Sequence, residues 1–194
     1  MIKKLIVSTL LLTNISFANS INNIEYIDEE KMDYSNFRPF VGFDASMSYI
    51  DTTHSLDKSM IGYGLYIGMP IFSWEILAKV KKDTTRDFHV ISKSISLNIP
   101  IKGSGTDFTY LGLIGGKNKL EWRNHIIYSL DIKDKILNNS FYGIHIGQKF
   151  KFTRNYYVRV ELEYSKYDYV SKTAGADIGA DDGVSFNYGF EYKF

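Results

Sequence analysis

Hydrophobic and polar residues alternate one by one over long stretches of this chain. In the stretch 184–194, VSFNYGFEYKF, the even positions are apolar or aromatic and the odd positions are polar, small or charged. A period of two residues is typical of a β-strand, because successive side chains point to opposite faces of the pleat. A helix would spread these aromatic residues around its whole circumference. The stretch therefore predicts a strand with one apolar face and one polar face.

The same alternation predicts seven further strands, which lie near residues 41–49, 60–71, 74–81, 94–101, 108–116, 142–152 and 156–165. The fifth of the eight strands is apolar at both parities, so the facing of its side chains stays open. Tight connections near residues 73, 103 and 154 alternate with mostly longer, polar ones at 51–58, 82–87, 117–139 and 168–183. Short turns on one rim and long loops on the other indicate an up-and-down meander.

The strand count depends on the segment 117–139. Its apolar residues share one parity at Leu120, Trp122, Ile126, Tyr128, Leu130 and Ile132. The segment is either a long loop that extends the flanking strands or forms a short helix, or it holds one more strand. An additional strand here would require a tenth, for which NIEYI at residues 23–27 is the candidate. We predict eight strands, with ten as the alternative.

Alternation alone does not distinguish a barrel in lipid from a soluble barrel or sandwich, but three further features do. The polar faces carry small residues, as a narrow interior requires, at Gly62, Gly64, Gly68, Gly143, Gly147 and Gly189. Aromatic residues gather near the strand ends, as in the girdles of membrane barrels, at Phe40, Tyr49, Phe72, Trp74, Phe152, Tyr156, Tyr164 and Phe194. Closure would also remove an exposed edge strand. These patterns predict an all-β fold, a closed antiparallel up-and-down transmembrane β-barrel.

The N-terminus predicts export. MIKK is positively charged, Leu5 to Leu12 form a short apolar stretch, and SFA places small residues before a cleavage point at Ala18. The apolar stretch is shorter than the roughly 20 residues that a membrane helix needs. We therefore predict a signal peptide at 1–18, a polar leader at 19–37 and a barrel domain at 38–194.

Composition narrows the possible partners and chemistry. The chain has 23 basic and 22 acidic residues, so it has no overall attraction for nucleic acid. It has no cysteine, which excludes disulfides, thiolate metal sites and a lipid-modified cysteine. The acidic residues Asp177, Asp181 and Asp182 do not have the spacing of an EF-hand calcium loop. We expect no cofactor and no metal.

The exported chain with FNYGFEYKF at its end resembles the small outer-membrane β-barrels of Gram-negative bacteria, of the OmpA membrane-domain and opacity-protein type. The resemblance is carried by aromatic residues at alternating positions, Tyr188, Phe190, Tyr192 and Phe194. It implies a location in the outer membrane, in contact with membrane lipid and lipopolysaccharide. It also implies that the terminal strand is the signal recognised by the outer-membrane assembly machinery.

In such a barrel, the polar faces would line the lumen. The predicted lumen charges are Asp44, His145, Lys149, Arg159, Glu161, Glu163, Glu191 and Lys193. Charges that are removed from bulk water must pair with one another. A 153–155 turn that pairs Phe152 with Tyr156 would place His145 opposite Glu163 and Lys149 opposite Arg159. A shift by two residues would instead place Lys149 opposite Glu161, and the sequence leaves both registers open.

The longest loop contains residues of the kind that binding interfaces use, namely Trp122, Arg123, His125 and Tyr128. Packing of this loop over the barrel mouth is an equal alternative. We predict a monomeric surface scaffold or adhesion-type binding protein whose loops contact a host or extracellular ligand. The alternative is a narrow channel for small solutes or ions. A lipid-modifying enzyme using His54, Ser55 and Asp57 is a minor alternative, and we predict no enzymatic activity because adjacency in a loop is not triad geometry.

Overall fold

The computed structural model describes residues 38–52, 58–104, 107–124, 126–127, 136–171 and 178–194. The predicted signal peptide and leader therefore lie outside the described residues. Eight strands follow one another along the chain: β1 (Phe40–Thr52), β2 (Ser59–Ile71), β3 (Trp74–Thr84), β4 (Phe88–Ser104), β5 (Asp107–Trp122), β6 (Ile136–Lys151), β7 (Tyr156–Ser171) and β8 (Ile178–Lys193).

The strands form one closed barrel in which each strand pairs with its neighbours in sequence, and β1 pairs with β8. All eight pairings are antiparallel, and the closing one runs from Phe40 opposite Lys193 to Thr52 opposite Ala180. The predicted up-and-down barrel of eight strands is confirmed. The ten-strand alternative is wrong because the segment 117–139 supplies the end of β5 and the beginning of β6 instead of a separate strand.

Within the middle of the barrel, side chains alternate between lumen and outer surface as predicted. In β2, Ile61, Tyr63, Leu65 and Ile67 are exposed on the outside, whereas the residues between them are buried. The strand that the sequence left open, β5, directs Leu111 and Leu113 outwards and Tyr110 inwards. In the described part of the chain, no helix is long and apolar enough to cross a membrane.

The barrel wall has unequal height. The strands β1, β2 and β3 have 13, 13 and 11 residues, whereas β4 has 17 and β5 to β8 have 16 each. About 9–11 residues of a tilted strand suffice to cross a bilayer. Much of the additional length of β4 lies at the tight-turn rim, because Glu75 near the start of β3 is opposite Asn98 and β4 continues to Ser104. At the opposite rim, the ends of β4 to β8 stand away from the tight turns at Phe72 and at residues 152–155, and we call these ends the loop-side extension.

The β3–β4 connection on this rim is shorter than predicted. It comprises only residues 85–87, because β3 continues to Thr84 and β4 begins at Phe88. The Thr85 hydroxyl stabilises the turn by accepting hydrogen bonds from the N–H groups of Asp87 at 2.9 Å and Phe88 at 3.0 Å. The first half of the predicted loop at 82–87 is thus strand.

The polarity of the two faces reverses along β4 and β5. Towards the tight-turn rim, the outward residues of β5 are Leu111 and Leu113. Its last outward residues, on the loop side, are Lys117, Lys119 and Glu121. The inward residues there change in the opposite sense, to the buried Leu120 and Trp122. This reversal is expected where a wall leaves lipid for water, because the apolar side chains then have to turn inwards to leave the solvent.

Candidate functional site

Four charged residues form a compact ion-paired group in the lumen, nearer the rim with the tight turns. Lys149 Nζ lies 2.7 Å from a carboxylate oxygen of Glu75 and 2.6 Å from one of Glu191. The Arg159 guanidinium contacts the same two carboxylates, at 3.4 Å for Glu75 and closer for Glu191. Because all four side chains are buried and each contacts two partners, the group holds β3, β6, β7 and β8 together.

Aromatic rings surround the two cations of this group. Lys149 Nζ lies 4.2 Å from the centroid of the Phe40 ring, and the Arg159 guanidinium carbon lies 5.0 Å from the Tyr66 ring. Such placement of a cation over a ring is favourable when both are shielded from water. The girdle position predicted for Phe40 is therefore wrong: its side chain is 2% exposed and faces the lumen.

A second polar group contains the only lumen histidine among the described residues. His145 Nε2 lies 2.7 Å from Oδ1 of Asn98 and 3.7 Å from a carboxylate oxygen of Glu161. The Tyr110 hydroxyl donates a hydrogen bond to Glu161 at 3.0 Å, and the Asn187 amide donates one at 3.2 Å. This histidine thus lies within a hydrogen-bonded set of neighbours contributed by β4, β5, β7 and β8.

Small residues make room for this group at two close approaches. A Cβ atom at Gly112 would overlap the His145 ring, and one at Gly147 would overlap the Tyr110 ring. Each glycine stands on a strand next to the side chain that it accommodates, as the register of β5 and β6 shows. The two glycines therefore leave space inside the lumen for the rings of His145 and Tyr110.

Further ion pairs continue towards the loop-side rim. Lys79 pairs with Asp44 at 2.5 Å, and Lys81 pairs with Asp83 at 3.2 Å. Lys81 also donates to the hydroxyl groups of Ser48 and Ser185, both at 3.3 Å. The polar layer of the lumen thus extends from Glu75 at one end to Lys81 at the other.

An apolar cluster lies across the lumen at the loop-side rim. Its buried members come from β1, β2, β4 and β5 and are Ile50, Met60, Phe88, Val90, Leu120 and Trp122. Leu137, Tyr167, Ile126 and Ile127 pack against them. Phe88 and Trp122 meet edge to face with ring centroids 5.4 Å apart. We call this set the apolar lid, because it separates the polar lumen from the loop side.

The structure places most of the predicted lumen charges together. Asp44, His145, Lys149, Arg159, Glu161, Glu163 and Glu191 are all buried inside the barrel. Lys193, at the end of β8, is half-exposed and lies outside the ion-paired groups. The register of β6 and β7 is the first of the two alternatives, with His145 opposite Glu163 and Lys149 opposite Arg159.

The predicted set lacked four charged residues that complete the lumen pairs, which are Glu75, Lys79, Lys81 and Asp83. All four belong to β3. All four have odd residue numbers in the stretch WEILAKVKKDT, and this pattern predicts side chains on one face of a strand. Leu77 interrupts this face with an apolar residue, which weakens the pattern, and it packs with Phe40 and Tyr66.

The outer surface carries a continuous apolar band. The outward positions are apolar from Val41 to Tyr49 on β1, before Asp51, and from Met69 to Ile61 on β2, before Ser59. Exposed aromatic residues border the band near the tight turns, among them Phe72, Trp74, Phe152 and Tyr156. Such a surface around a closed sheet is typical of a barrel that crosses a bilayer.

The aromatic residues of the predicted assembly signal lie on this band. Tyr188, Phe190 and Phe194 are exposed, and Tyr192 is half-exposed beside the Tyr156 ring. The Phe194 N–H donates a hydrogen bond to the carbonyl of Pro39 at 3.1 Å, across the closing seam of the barrel. These four residues are therefore accessible from the membrane side of β8.

Two of the four predicted loop residues are described, and only one is exposed. Arg123 follows β5 and is exposed, with its N–H donating to the carbonyl of Asp87 at 2.9 Å. The exposed loop position predicted for Trp122 is wrong, because it is the last residue of β5 and only 5% exposed. The wall is taller there than predicted, which carries its ring into the apolar lid. His125 and Tyr128 lie outside the described residues.

An open groove of about 460 Å³ adjoins Arg123 on the loop side. Its lining consists of His89, Glu121, Trp122, Arg123, Asn124 and Ile136. His89 Nε2 lies 2.6 Å from a carboxylate oxygen of Glu121, so the groove has a fixed polar wall. Sequence reasoning missed His89 and Glu121 as neighbours, because only the pairing of β4 with β5 brings them together.

The remaining candidates are mostly outside the described residues. This holds for His54, Ser55 and Asp57 of the first loop, and for Asp177. Nothing is described of the Asp181 side chain. Asp182 accepts a hydrogen bond from the Tyr164 hydroxyl at 2.9 Å on the outer surface.

Comparison with known proteins identifies the fold. Neither a protein-family model nor a curated protein sequence matches the chain. Neisserial surface protein A matches with a TM-score of 0.62 and 15% identity, over 80% of this chain and 97% of that one. The outer membrane protein OprG from Pseudomonas aeruginosa matches with a TM-score of 0.53 and 12% identity, over 82% and 97%.

At these identities the similarity shows the fold and nothing finer. The fold agrees with the apolar band on the outer surface and with the predicted location in the outer membrane. The expected resemblance is confirmed, and the chain has the architecture of the small eight-stranded outer-membrane β-barrels.

Proposed function

We propose that this protein acts as a surface scaffold or binding protein through its loop-side extension, and that its lumen has a structural role. The observation that carries the proposal is the apolar lid. It brings the inward side chains of Phe88, Trp122 and their neighbours together at the loop-side ends of the strands. A hydrophobic constriction excludes water and ions.

The ion-paired groups support the same division of roles. Buried charges that are matched with opposite charges and hydrogen bonds hold strands in register, whereas a conducting lumen keeps such groups hydrated. Lys149 and Arg159 each reach two carboxylates, and the Glu161 carboxylate accepts from Tyr110 and Asn187. Removing one charged partner would leave the other charge buried and unpaired, which would lower the free energy of unfolding by about 3–5 kcal/mol.

The groove beside Arg123 is the binding surface that we favour. Its volume lies in the range of about 300–1,000 Å³ that is usual for ligand sites. It offers the exposed Arg123 together with the fixed pair of His89 and Glu121. Arginine and tryptophan are frequent at the energetic centres of protein interfaces. A ligand with a planar acidic or amide group would find both donors and an acceptor there.

The competing function is that of a narrow channel. The polar side chains of the lumen would favour this function if the apolar lid could open. Single-channel recording distinguishes the two. We expect no steady openings from protein refolded in lipid, provided that the preparation shows the heat-dependent gel shift of a closed barrel. Steady openings that change on Arg159→Gln would overturn the structural role of the lumen.

Binding is tested with proteoliposomes that carry the full exported chain, applied to monolayers of epithelial cells. Arg123→Ala is expected to reduce the retained proteoliposomes severalfold, because it removes the exposed cation of the groove. The matched control is Arg154→Ala, at the exposed turn on the opposite rim. Equal retention of wild type and both variants, or of protein-free liposomes, would contradict the proposal.

A further inference from the structure

The outward residues just beyond the apolar band on the loop side are basic on one half of the barrel. The first polar outward residue is Lys82 on β3, Lys93 on β4 and Lys117 on β5. Below them, the outward positions Val80 and Ile95 are exposed to the membrane side. We call these three lysines the lysine collar.

The three side chains are neighbours on the barrel surface. Lys93 and Lys117 are direct partners in the register of β4 and β5. Lys82 pairs with Ile91, which lies two residues from Lys93 on the same face. Like charges that are directly opposite on two strands repel each other. The collar is therefore a site at which a bound anion would be stabilising.

None of the three lysines forms an ion pair with another of the residues that the structure describes. The nearby Lys119 behaves differently, because it pairs with Glu121, which in turn contacts His89. On β1 and β8 the corresponding outward positions are acidic, at Asp51 and Asp182, and the exposed Lys166 on β7 stands opposite Asp182. Asp51 is paired with Lys58 at 2.8 Å. At this level, lysines with no acidic residue opposite them in the register are thus found on β3, β4 and β5.

From this placement we propose that the lysine collar binds the phosphate groups of an anionic lipid in the loop-side leaflet, of the lipopolysaccharide class. A lysine just beyond an apolar band lays its alkyl chain on the band and places its ammonium group at the level of the lipid headgroups. The acyl chains of the same lipid would cover the exposed apolar surface of β3, β4 and β5 below. A single lipid molecule would thereby neutralise the lysine collar with its phosphate groups and cover the adjoining part of the apolar band with its acyl chains.

The test measures retention of bis-phosphorylated lipid A by the exported chain in detergent micelles, using native mass spectrometry. A triple variant with Lys82→Gln, Lys93→Gln and Lys117→Gln removes the collar. Each lysine near a charged surface contributes about fivefold to affinity, so the triple variant is expected to bind about a hundredfold more weakly. The corresponding triple arginine variant retains the charge and should bind like wild type.

A matched control neutralises three cations at the opposite rim, with Lys102→Gln, Lys151→Gln and Arg154→Gln. This variant should keep the wild-type affinity, because these residues lie at the tight-turn end. The heat-dependent gel shift of every variant verifies a folded barrel. Loss of affinity in the control equal to that in the collar variant would overturn the proposal.

Two ligand arms distinguish a lipid from a free anion. Lipid A from which the phosphates have been removed is expected to bind as weakly to wild type as intact lipid A binds to the collar variant. Inorganic phosphate alone, at the same concentration as the lipid, should not displace lipid A. Equal binding of the dephosphorylated lipid, or displacement by inorganic phosphate, would contradict a lipid phosphate site.

Discussion

Lys149 and Arg159 stand directly opposite each other on β6 and β7, and both side chains point into the lumen. Two cations in this relation would repel each other if they were alone. They are accommodated because Glu75 and Glu191 each contact both of them. The carboxylates come from β3 and β8, so the arrangement depends on closure of the barrel.

The first prediction concerns Glu191→Gln, which leaves the two cations to share Glu75. Because Glu191 is buried, removing its charge should lower the free energy of unfolding by about 3–5 kcal/mol. The measurement is a urea titration of the protein folded in phospholipid vesicles. Glu121→Gln serves as the control, since this half-buried rim residue should cost no more than about 1 kcal/mol. Similar losses for both variants would refute a special role for the buried group.

The second prediction concerns the apolar lid. Phe88 is fully buried in it, so Phe88→Ala should cost about 3–5 kcal/mol, as for other large-to-small replacements in a core. Phe152→Ala removes the same side chain from a position that is 76% exposed and should cost clearly less. The same urea titration measures both. If the two losses were equal, the lid would not be a packed core.

Sequence reasoning succeeded for the part of the barrel within lipid. There, one face meets hydrocarbon and the other a narrow polar interior, so a single rule about parity assigns Tyr63 outwards and Glu161 inwards. One inward charge assigns all side chains of its strand to their faces, because a shift of the strand by one residue would reverse every one of them. Most of the lumen charges could therefore be assigned from alternation once the apolar face was placed towards lipid, although the charged residues of β3 were left out of the set.

The same reasoning failed beyond the lipid, because the parity rule reverses there. In the sequence, Leu120 and Trp122 resemble one face of an additional strand. In the structure they are buried inward residues of β5, in the part of the strand that extends beyond the lipid. No single residue marks the point at which lipid ends, and β5 is apolar at both parities near that point. Contacts between strands that are not neighbours, such as that of Lys149 on β6 with Glu75 on β3, also depend on the closed sheet and could not be read from the sequence.

The third prediction tests closure of the barrel between β1 and β8. Met47 and Phe186 are opposite each other across this seam and face the membrane. Opposite residues lie about 4.5–5.5 Å apart at Cα, which is within the range for a disulfide. The Met47→Cys, Phe186→Cys variant should therefore form an intramolecular disulfide, seen as altered gel mobility without reductant. The chain has no native cysteine, so no other pairing competes.

The register control for this experiment is the pair Met47→Cys, Tyr188→Cys. Tyr188 is opposite Ala45, which places it one diagonal step away from Met47 on the same face. The larger separation should make this pair oxidise much more slowly. Preferential crosslinking of the diagonal pair would show that the seam is shifted by two residues from the register described.

The last prediction uses the two tryptophans to test the reversal of polarity along the wall. Trp74 is exposed at the edge of the apolar band near the tight turns, whereas Trp122 is buried in the apolar lid. In vesicles of lipid with brominated acyl chains, fluorescence of the Trp122→Phe variant, which keeps Trp74, should be strongly quenched. The Trp74→Phe variant, which keeps Trp122, should be quenched little, because the barrel wall separates its ring from lipid. Strong quenching of Trp122 would mean that the upper part of β5 faces the membrane with the opposite parity, and the lid would then not exist.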